Sequence, residues 1–124
     1  MSYDVRVEPD VDKDVADLVS LDADVAREAL RLVLALRANP WLGDDPRERY
    51  DLLPLRDCRR LRFDRPDWPG KPRFRIVYRN EPHDGAPEVV RVWAIGPRDE
   101  LTAYARAAAR ITRERARQSR RKRT

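Results

Sequence analysis

The chain has 124 residues, of which 41% are hydrophobic and 40% are charged, so it can bury one modest core, and neither two domains nor disorder throughout is expected. Short, interrupted apolar stretches exclude a membrane-spanning helix, and one cysteine with one histidine excludes an internal disulfide and a Cys/His zinc site. Residues 1–50 carry 7 basic and 12 acidic side chains whereas residues 51–124 carry 20 and 10, which favours a polyanionic partner, most often nucleic acid.

The amino-terminal part of the chain predicts a strand followed by a helical hairpin. Residues 3–8 alternate apolar and polar side chains, which is the period of a half-buried strand. Asp10 can cap a first helix, whose apolar side chains recur at helical spacing over residues 11–19. After a break at residues 20–24, a second helix is predicted to about Ala38, where an Asn-Pro pair stops it.

The middle of the chain predicts short strands. Apolar side chains, in part alternating with polar ones, mark the candidates, which are residues 50–55, 59–63, 73–79 and 89–95. A proline-rich connection at residues 64–72 and a polar loop at residues 80–87 separate the last three. Because only a short loop joins the last two candidates, we expect them to pair as an antiparallel hairpin, and the Gly-Pro pair at 96–97 should end the sheet.

The carboxyl-terminal part predicts a third helix and a basic tail. Apolar side chains recur at helical spacing between positions 101 and 111, so a helix is predicted from about Asp99 to about Arg110. From Thr112 the chain has seven basic residues and one acidic residue, which suits either a helical extension or a disordered arm, and we favour fraying. Residues 1–111 are therefore predicted to form a single domain, with residues 112–124 as a basic tail.

These elements follow the order β-α-α-β-β-β-α. The order predicts an α+β fold, in which the N-terminal helical hairpin covers one face of a small antiparallel sheet. The other face is expected to be exposed and to carry the arginines. No secretory signal is readable at the amino terminus, so we expect a soluble, cytoplasmic protein.

Four short motifs occur along this pattern in a fixed order. They are Asn-Pro-x-x-Gly at 39–43, Arg-Phe-Arg-Ile-Val-Tyr at 73–78, Val-Arg-Val-Trp-Ala-Ile-Gly-Pro-Arg at 90–98 and Ala-Tyr at 103–104. In their order and spacing the chain resembles, from about residue 3 to residue 111, the RelE/ParE family of toxins from type II toxin–antitoxin systems. The basic tail and the connection at residues 64–72 exceed the usual family core.

The resemblance implies one of two toxin activities. RelE-like members cut messenger RNA in the ribosomal A site, and ParE-like members poison DNA gyrase. The ribonuclease branch uses basic residues on the central strands, an arginine after the last strand and a tyrosine in the C-terminal helix. Arg75, Arg98 and Tyr104 stand at these positions. This match favours a ribosome-dependent mRNA endoribonuclease with these three as candidate catalytic residues.

The resemblance also implies partners and further contacts. Arg60 and Arg62 match strand positions at which ribonuclease members often carry lysines, and with Arg73 and Arg79 they form the candidate RNA-binding set. The expected partners are a cognate antitoxin, the ribosome and its mRNA. No metal, cofactor or membrane is expected to take part.

Cleavage by the RNA's own 2′-hydroxyl explains why arginines suit this site. Attack on the adjacent phosphorus gathers negative charge on the phosphoryl oxygens, which guanidinium groups can hold bidentately. An arginine stays protonated, however, so Arg60 and Arg62 cannot act as bases where family members have lysines. The base is then Tyr104, an aspartate such as Asp64, or dispensable, and a weak or absent nuclease activity is also open.

Other interpretations of the same residues stay open at this point. Arg60, Arg62 and Arg75 are also compatible with the solvated face of a half-covered sheet, and Tyr104 with a core position. Arg98 is also compatible with a weak surface ion pair to a neighbouring carboxylate such as Asp99 or Glu100. Trp68 can anchor the proline-rich connection or stack on a nucleotide. A gyrase-directed toxin and an inactive RNA-binding relative are the alternative functions.

Overall fold

Three helices and a four-stranded sheet make up the described part of the chain, in the predicted order β-α-α-β-β-β-α. The computed structural model describes residues 2–44 and 55–122, so residues 50–54 of the first mid-chain strand candidate lie outside it. The strands are β1 (Asp4–Val7), β2 (Cys58–Phe63), β3 (Phe74–His83) and β4 (Ala86–Pro97). The helices are α1 (Val11–Leu21), α2 (Ala23–Ala35) and α3 (Thr102–Lys122), the last preceded by a 3₁₀ turn, Asp99–Leu101.

The sheet has the strand order β1-β4-β3-β2. The pairs β2–β3 and β3–β4 are antiparallel, and β1 lies parallel to β4 at the edge. Two helices separate β1 from the next strand, so β1 can join the last strand of the sheet rather than its neighbour in sequence. The predicted α+β fold is confirmed, with one parallel pair in a mixed sheet.

The hairpin of β3 and β4 is longer than predicted. The predicted loop at residues 80–87 is wrong, because the two strands continue until Asp84-Gly85 forms the turn. Pro82 and Pro87, which suggested a loop, lie opposite each other in the ladder. The last strand ends at the Gly-Pro pair as predicted, but both residues belong to β4 and pair with the start of β3.

The first core lies between the sheet and the helical hairpin. Leu18 of α1, Val25 and Ala29 of α2, and Ile76 and Val92 of the sheet are almost fully buried there. Asp22 caps α2 by accepting hydrogen bonds from two backbone N–H groups. The expected cap of α1 is wrong, because the side chain of Asp10 makes no cap hydrogen bond.

The second core lies on the opposite face of the sheet, under α3. Its buried members include Val77 and Trp93 of the sheet and Ala103, Ala107 and Ile111 of the helix. The expectation that this face is exposed is therefore wrong. The sequence predicted α3 as a helix but did not predict the surface against which it packs.

The basic tail is helical in the described residues. The expected fraying from Thr112 is wrong, because α3 continues without interruption to Lys122. Arginine, alanine and glutamine have high helix propensity, and Glu114 pairs with Arg117 one turn later on the same helix.

The Asn-Pro-x-x-Gly motif fixes the turn that follows α2. The Tyr78 hydroxyl donates a hydrogen bond to the Pro40 carbonyl at 2.8 Å and accepts one from the Gly43 N–H at 2.9 Å. A Cβ atom at position 43 would lie 2.6 Å from the Arg60 carbonyl oxygen, so only glycine fits against β2. This motif therefore has a structural role.

Candidate nucleic-acid interface

The candidate catalytic residues lie near one another, where β3 begins and β4 leads into α3. Arg75 lies on β3 between two cross-strand neighbours, Arg62 on β2 and Gly96 on β4. Arg98 follows β4 directly, and its backbone N–H donates to the Arg73 carbonyl at 2.8 Å. Tyr104 lies in the first turn of α3. The short β4–α3 connection thus places Arg98 and Tyr104 beside the start of β3.

Arg75 is the buried cation of this group, with 5% of the residue exposed. Its Nη1 donates to the carbonyl oxygens of Pro72 at 2.9 Å and Phe74 at 2.8 Å, and its buried Nε has no hydrogen-bond partner. No carboxylate among the described residues forms an ion pair with Arg75. Buried charges are ordinarily paired with an opposite charge, so this guanidinium is unusual.

The charges around Arg75 act on its pKa. Burial lowers the pKa of the Arg75 guanidinium, while the Tyr104 hydroxyl, which is hydrogen-bonded to it, opposes this change. The positive charges of Arg60 and Arg98 lower the pKa of Arg75 further. Three guanidinium groups and one phenol therefore share a single region, which has the positive potential of an anion site.

Tyr104 belongs both to the core and to this group. The residue is 1% exposed, and its ring packs in the second core. Its hydroxyl lies 3.4 Å from Nη1 of Arg60, which donates to it. The two interpretations of Tyr104 from sequence are thus compatible, because the ring is buried and the hydroxyl meets the arginines.

Arg98 is the exposed member of the group. Among the carboxylates whose side chains the structure describes, none forms an ion pair with its guanidinium. Arg98 is therefore the side chain best placed to meet a phosphate from solvent, whereas Arg60 is half-buried.

The remaining arginines of the RNA-binding set have carboxylate partners. Arg62 bonds Asp44 at 3.0 Å, and Arg79 lies 3.7 Å from Asp57. Arg73 forms two hydrogen bonds of 2.9 Å to Asp64. These ion pairs are what a solvated sheet face ordinarily shows, so the structure separates these three from Arg75 and Arg98.

Asp64, one candidate for the general base, is engaged in this ion pair. Burial raises its pKa, but hydrogen bonds from Arg73 and from the backbone N–H groups of Arg73 and Arg65 outweigh burial and leave the pKa below its ordinary value. A carboxylate with a lowered pKa is a weak base near neutral pH. Trp68 lies under the same guanidinium, 3.6 Å from ring centroid to the carbon of Arg73, and so anchors the proline-rich connection.

Sequence reasoning missed a second group of charges, which joins α3 to α1. Asp14 is 2% exposed and accepts hydrogen bonds from Arg110 at 2.7 and 2.9 Å and from the Ile95 N–H at 3.0 Å. Arg110 and Arg106 also donate to the carbonyl oxygens of Trp93 and Ile95. These side chains supply hydrogen-bond partners for the backbone groups of β4 that follow the segment paired with β1. The available signal was the arginine spacing of α3 together with the aspartate spacing of α1.

Within residues 2–44 and 55–122, no group of three or more His, Cys, Asp or Glu side chains is arranged to hold a metal ion. No helix in the described part of the chain is long and apolar enough to cross a membrane.

Comparison with known proteins identifies the fold. No protein-family model matches the sequence, and no curated protein matches it. The structure is similar to a solved structure of the E. coli toxin RelE, a double arginine-to-alanine mutant in the free state. The similarity has a TM-score of 0.58 at 18% sequence identity and covers 90% of this chain and 99% of that chain. The chain therefore has a RelE-like fold.

Proposed function

We propose that this protein is a RelE-type toxin of a toxin–antitoxin pair and that it cleaves mRNA on the ribosome by 2′-hydroxyl attack. The observation that carries the proposal is the pair Arg75 and Arg98, which share one region with Tyr104 and form no ion pair with a described carboxylate. A buried guanidinium without a carboxylate costs stability, and functional sites are where such costs are retained. The anion that completes the group is an RNA phosphate.

Each of the three residues has a distinct role in the proposed site. Arg98, which is exposed, contacts a phosphoryl oxygen directly and stabilises its charge as the 2′-oxygen attacks. Arg75 adds positive potential from beneath, and Tyr104 places its hydroxyl beside the arginines. Alignment of the RNA by the ribosome supplies much of the remaining rate acceleration, because positioning alone can lower the activation barrier by roughly 7–11 kcal/mol.

The experiment is inducible expression in growing cells, with mRNA 5′ ends mapped and DNA supercoiling measured in parallel. We expect growth arrest with new mRNA ends, and 2′,3′-cyclic phosphates on the upstream fragments. Arg98→Ala and Arg75→Ala should reduce cleavage by about 10²–10³-fold, which is the usual loss when one transition-state donor is removed. Arg27→Ala removes an exposed arginine of α2 and is the matched control.

Two outcomes would contradict the proposal. Growth arrest with intact mRNA and altered supercoiling would replace the nuclease by a gyrase-directed toxin. Equal cleavage by Arg98→Ala and Arg27→Ala would show that the arginine group takes no part in the chemistry.

A further inference from the structure

The far end of α3 projects beyond the core of the protein. Ile111 is the last buried residue of the helix, and the next eleven residues continue it to Lys122, about 16 Å at 1.5 Å per residue. We call residues 112–122 the arm. Apart from the half-buried Glu114, every side chain in the arm is exposed. Burial in the core therefore does not explain the composition of the arm.

An arginine stripe runs along α3 and leads into the arm. Arg106, Arg110 and Arg113 meet Asp17, Asp14 and Asp10 in turn, so α1 and α3 run antiparallel along this contact. The same spacing of three or four residues continues to Arg117 and Arg120 in the arm. Because α1 begins at Val11, the last acidic side chain at this end of the contact is Asp10, which meets Arg113 in the first turn of the arm.

The arm has a strong excess of positive charge. Six of its eleven residues are basic, namely Arg113, Arg115, Arg117, Arg120, Arg121 and Lys122. Glu114 is its one acidic residue, and it lies 3.5 Å from Arg117. Basic residues in the last turn of a helix also interact favourably with the helix dipole. The arginine stripe extends two turns further back, so the dipole does not account for it.

The chemistry of the arm selects the kind of anion. It contains no aromatic side chain for base stacking and no apolar residue larger than Ala116. A membrane-surface helix needs a large apolar face, and a peptide partner that lies in a groove needs apolar anchors. Arginine binds phosphate bidentately, and contacts with the phosphate backbone need no aromatic group.

We propose that the arm binds the phosphate backbone of double-helical RNA, independently of the strand that is cut. This inference rests on the proposed function, because it assigns the arm to structured RNA around the same substrate. The arm is helical in the free protein, so binding does not require it to order.

The test uses the full chain and an RNA duplex of about 16 base pairs, without ribosomes or mRNA. The arm variant is Arg117→Gln/Arg120→Gln/Lys122→Gln, in which glutamine retains helix propensity. The control is Arg6→Gln/Arg27→Gln/Arg31→Gln, which removes the same charge from exposed sites away from α3. Affinity is measured by fluorescence anisotropy over a range of salt concentrations, and helix content by circular dichroism.

The expected result follows from counterion release. If each removed charge met one phosphate, the slope of log affinity against log salt falls by about 0.9 for each, hence by about three in total. Affinity at about 0.15 M salt then drops by about 10²-fold. The control variant should keep the slope of the unmodified protein.

Several results would overturn the proposal. If both variants lose the same affinity, net charge explains the binding and the arm has no role. If the arm variant binds RNA normally but loses binding to phosphatidylglycerol vesicles or to an acidic protein partner, the arm serves that partner. Loss of duplex binding in the arm variant, in a protein that leaves mRNA intact in cells, would refute the proposed function and not the arm.

Discussion

Replacing Asp14 tests the contact between α1 and α3 that the sequence did not reveal. The carboxylate accepts from both terminal nitrogens of Arg110 and from the Ile95 N–H, and Arg106 lies 3.4 Å away. Asp14→Ala removes all of these contacts. The Arg110 side chain, which is only 12% exposed, would then keep its charge without its closest carboxylate.

The magnitude can be worked from these contacts. Removing one partner of a buried ion pair costs about 3–5 kcal/mol, and leaving a buried N–H without an acceptor costs about 1–3 kcal/mol. Asp10 lies 3.7 Å from Arg110 and offsets part of the first cost. We therefore expect Asp14→Ala to lower the free energy of unfolding by about 4 kcal/mol. Asp14→Asn keeps an acceptor for the Ile95 N–H, so it should cost less.

The measurement is urea unfolding of the purified chain, followed by circular dichroism. Asp12→Ala is the matched control, since Asp12 is an exposed acid in the same first turn and should contribute about 0.3–1 kcal/mol. If Asp14→Ala and Asp12→Ala lose the same stability, the contact between α1 and α3 does not hold the fold together and the reasoning is wrong.

Three further predictions concern the site, the core and the pH dependence of stability. Arg98→Lys should recover only part of the mRNA cleavage lost in Arg98→Ala, because an ammonium cannot form the two-pronged phosphate contact; full recovery would contradict this geometry. In urea unfolding, Ile76→Ala should lower the free energy of unfolding by about 2–5 kcal/mol, because Ile76 is buried in the first core. Arg62→Ala should lower it by less than about 1 kcal/mol, because Arg62 is exposed and paired with Asp44. Similar losses in the two variants would contradict the assigned faces of the sheet. Burial raises the pKa of Tyr78 from 10 to about 12, so its neutral form is favoured in the folded state, and its contribution is complete below pH 10 and is lost as the pH rises to 12. This loss is at most about 3 kcal/mol. Tyr78→Phe should remove it when unfolding is measured in a Cys58→Ala background, because burial raises the pKa of the Cys58 thiol to about 12 as well.

The element order could be predicted from sequence because local patterns specify it. The alternation in β3 and the stripe of α2 each predict the type of element and the face that packs against the first core. The prediction of a loop between β3 and β4 was wrong for the same reason, because Pro82 and Pro87 are local signals of a loop. They belong to the ladder because they pair across the two strands, and this pairing depends on tertiary structure.

The position of α3 could not be predicted in the same way. Its small residues, such as Ala103 and Ala107, allow close packing but do not say against what. Once α3 covers the second face, the sheet arginines no longer form one solvated set. Arg75 becomes buried and Arg98 stays exposed, a distinction that their spacing in the sequence does not contain.

The charges of the two parts of the chain explain where an anion would gain most. The acidic first part meets the basic second part both inside the fold, as Asp14 does with Arg110, and on its surface, as Asp44 does with Arg62. The net positive charge of the second part is larger than the net negative charge of the first part, so an excess of positive charge, mostly from arginine, is left over. That excess is not spread evenly over the described residues. Part of it is found at Arg75 and Arg98, where β3 begins and β4 ends, and part in the arm, in which six residues are basic and one is acidic. A polyanion that reached both places would neutralise part of this excess of positive charge.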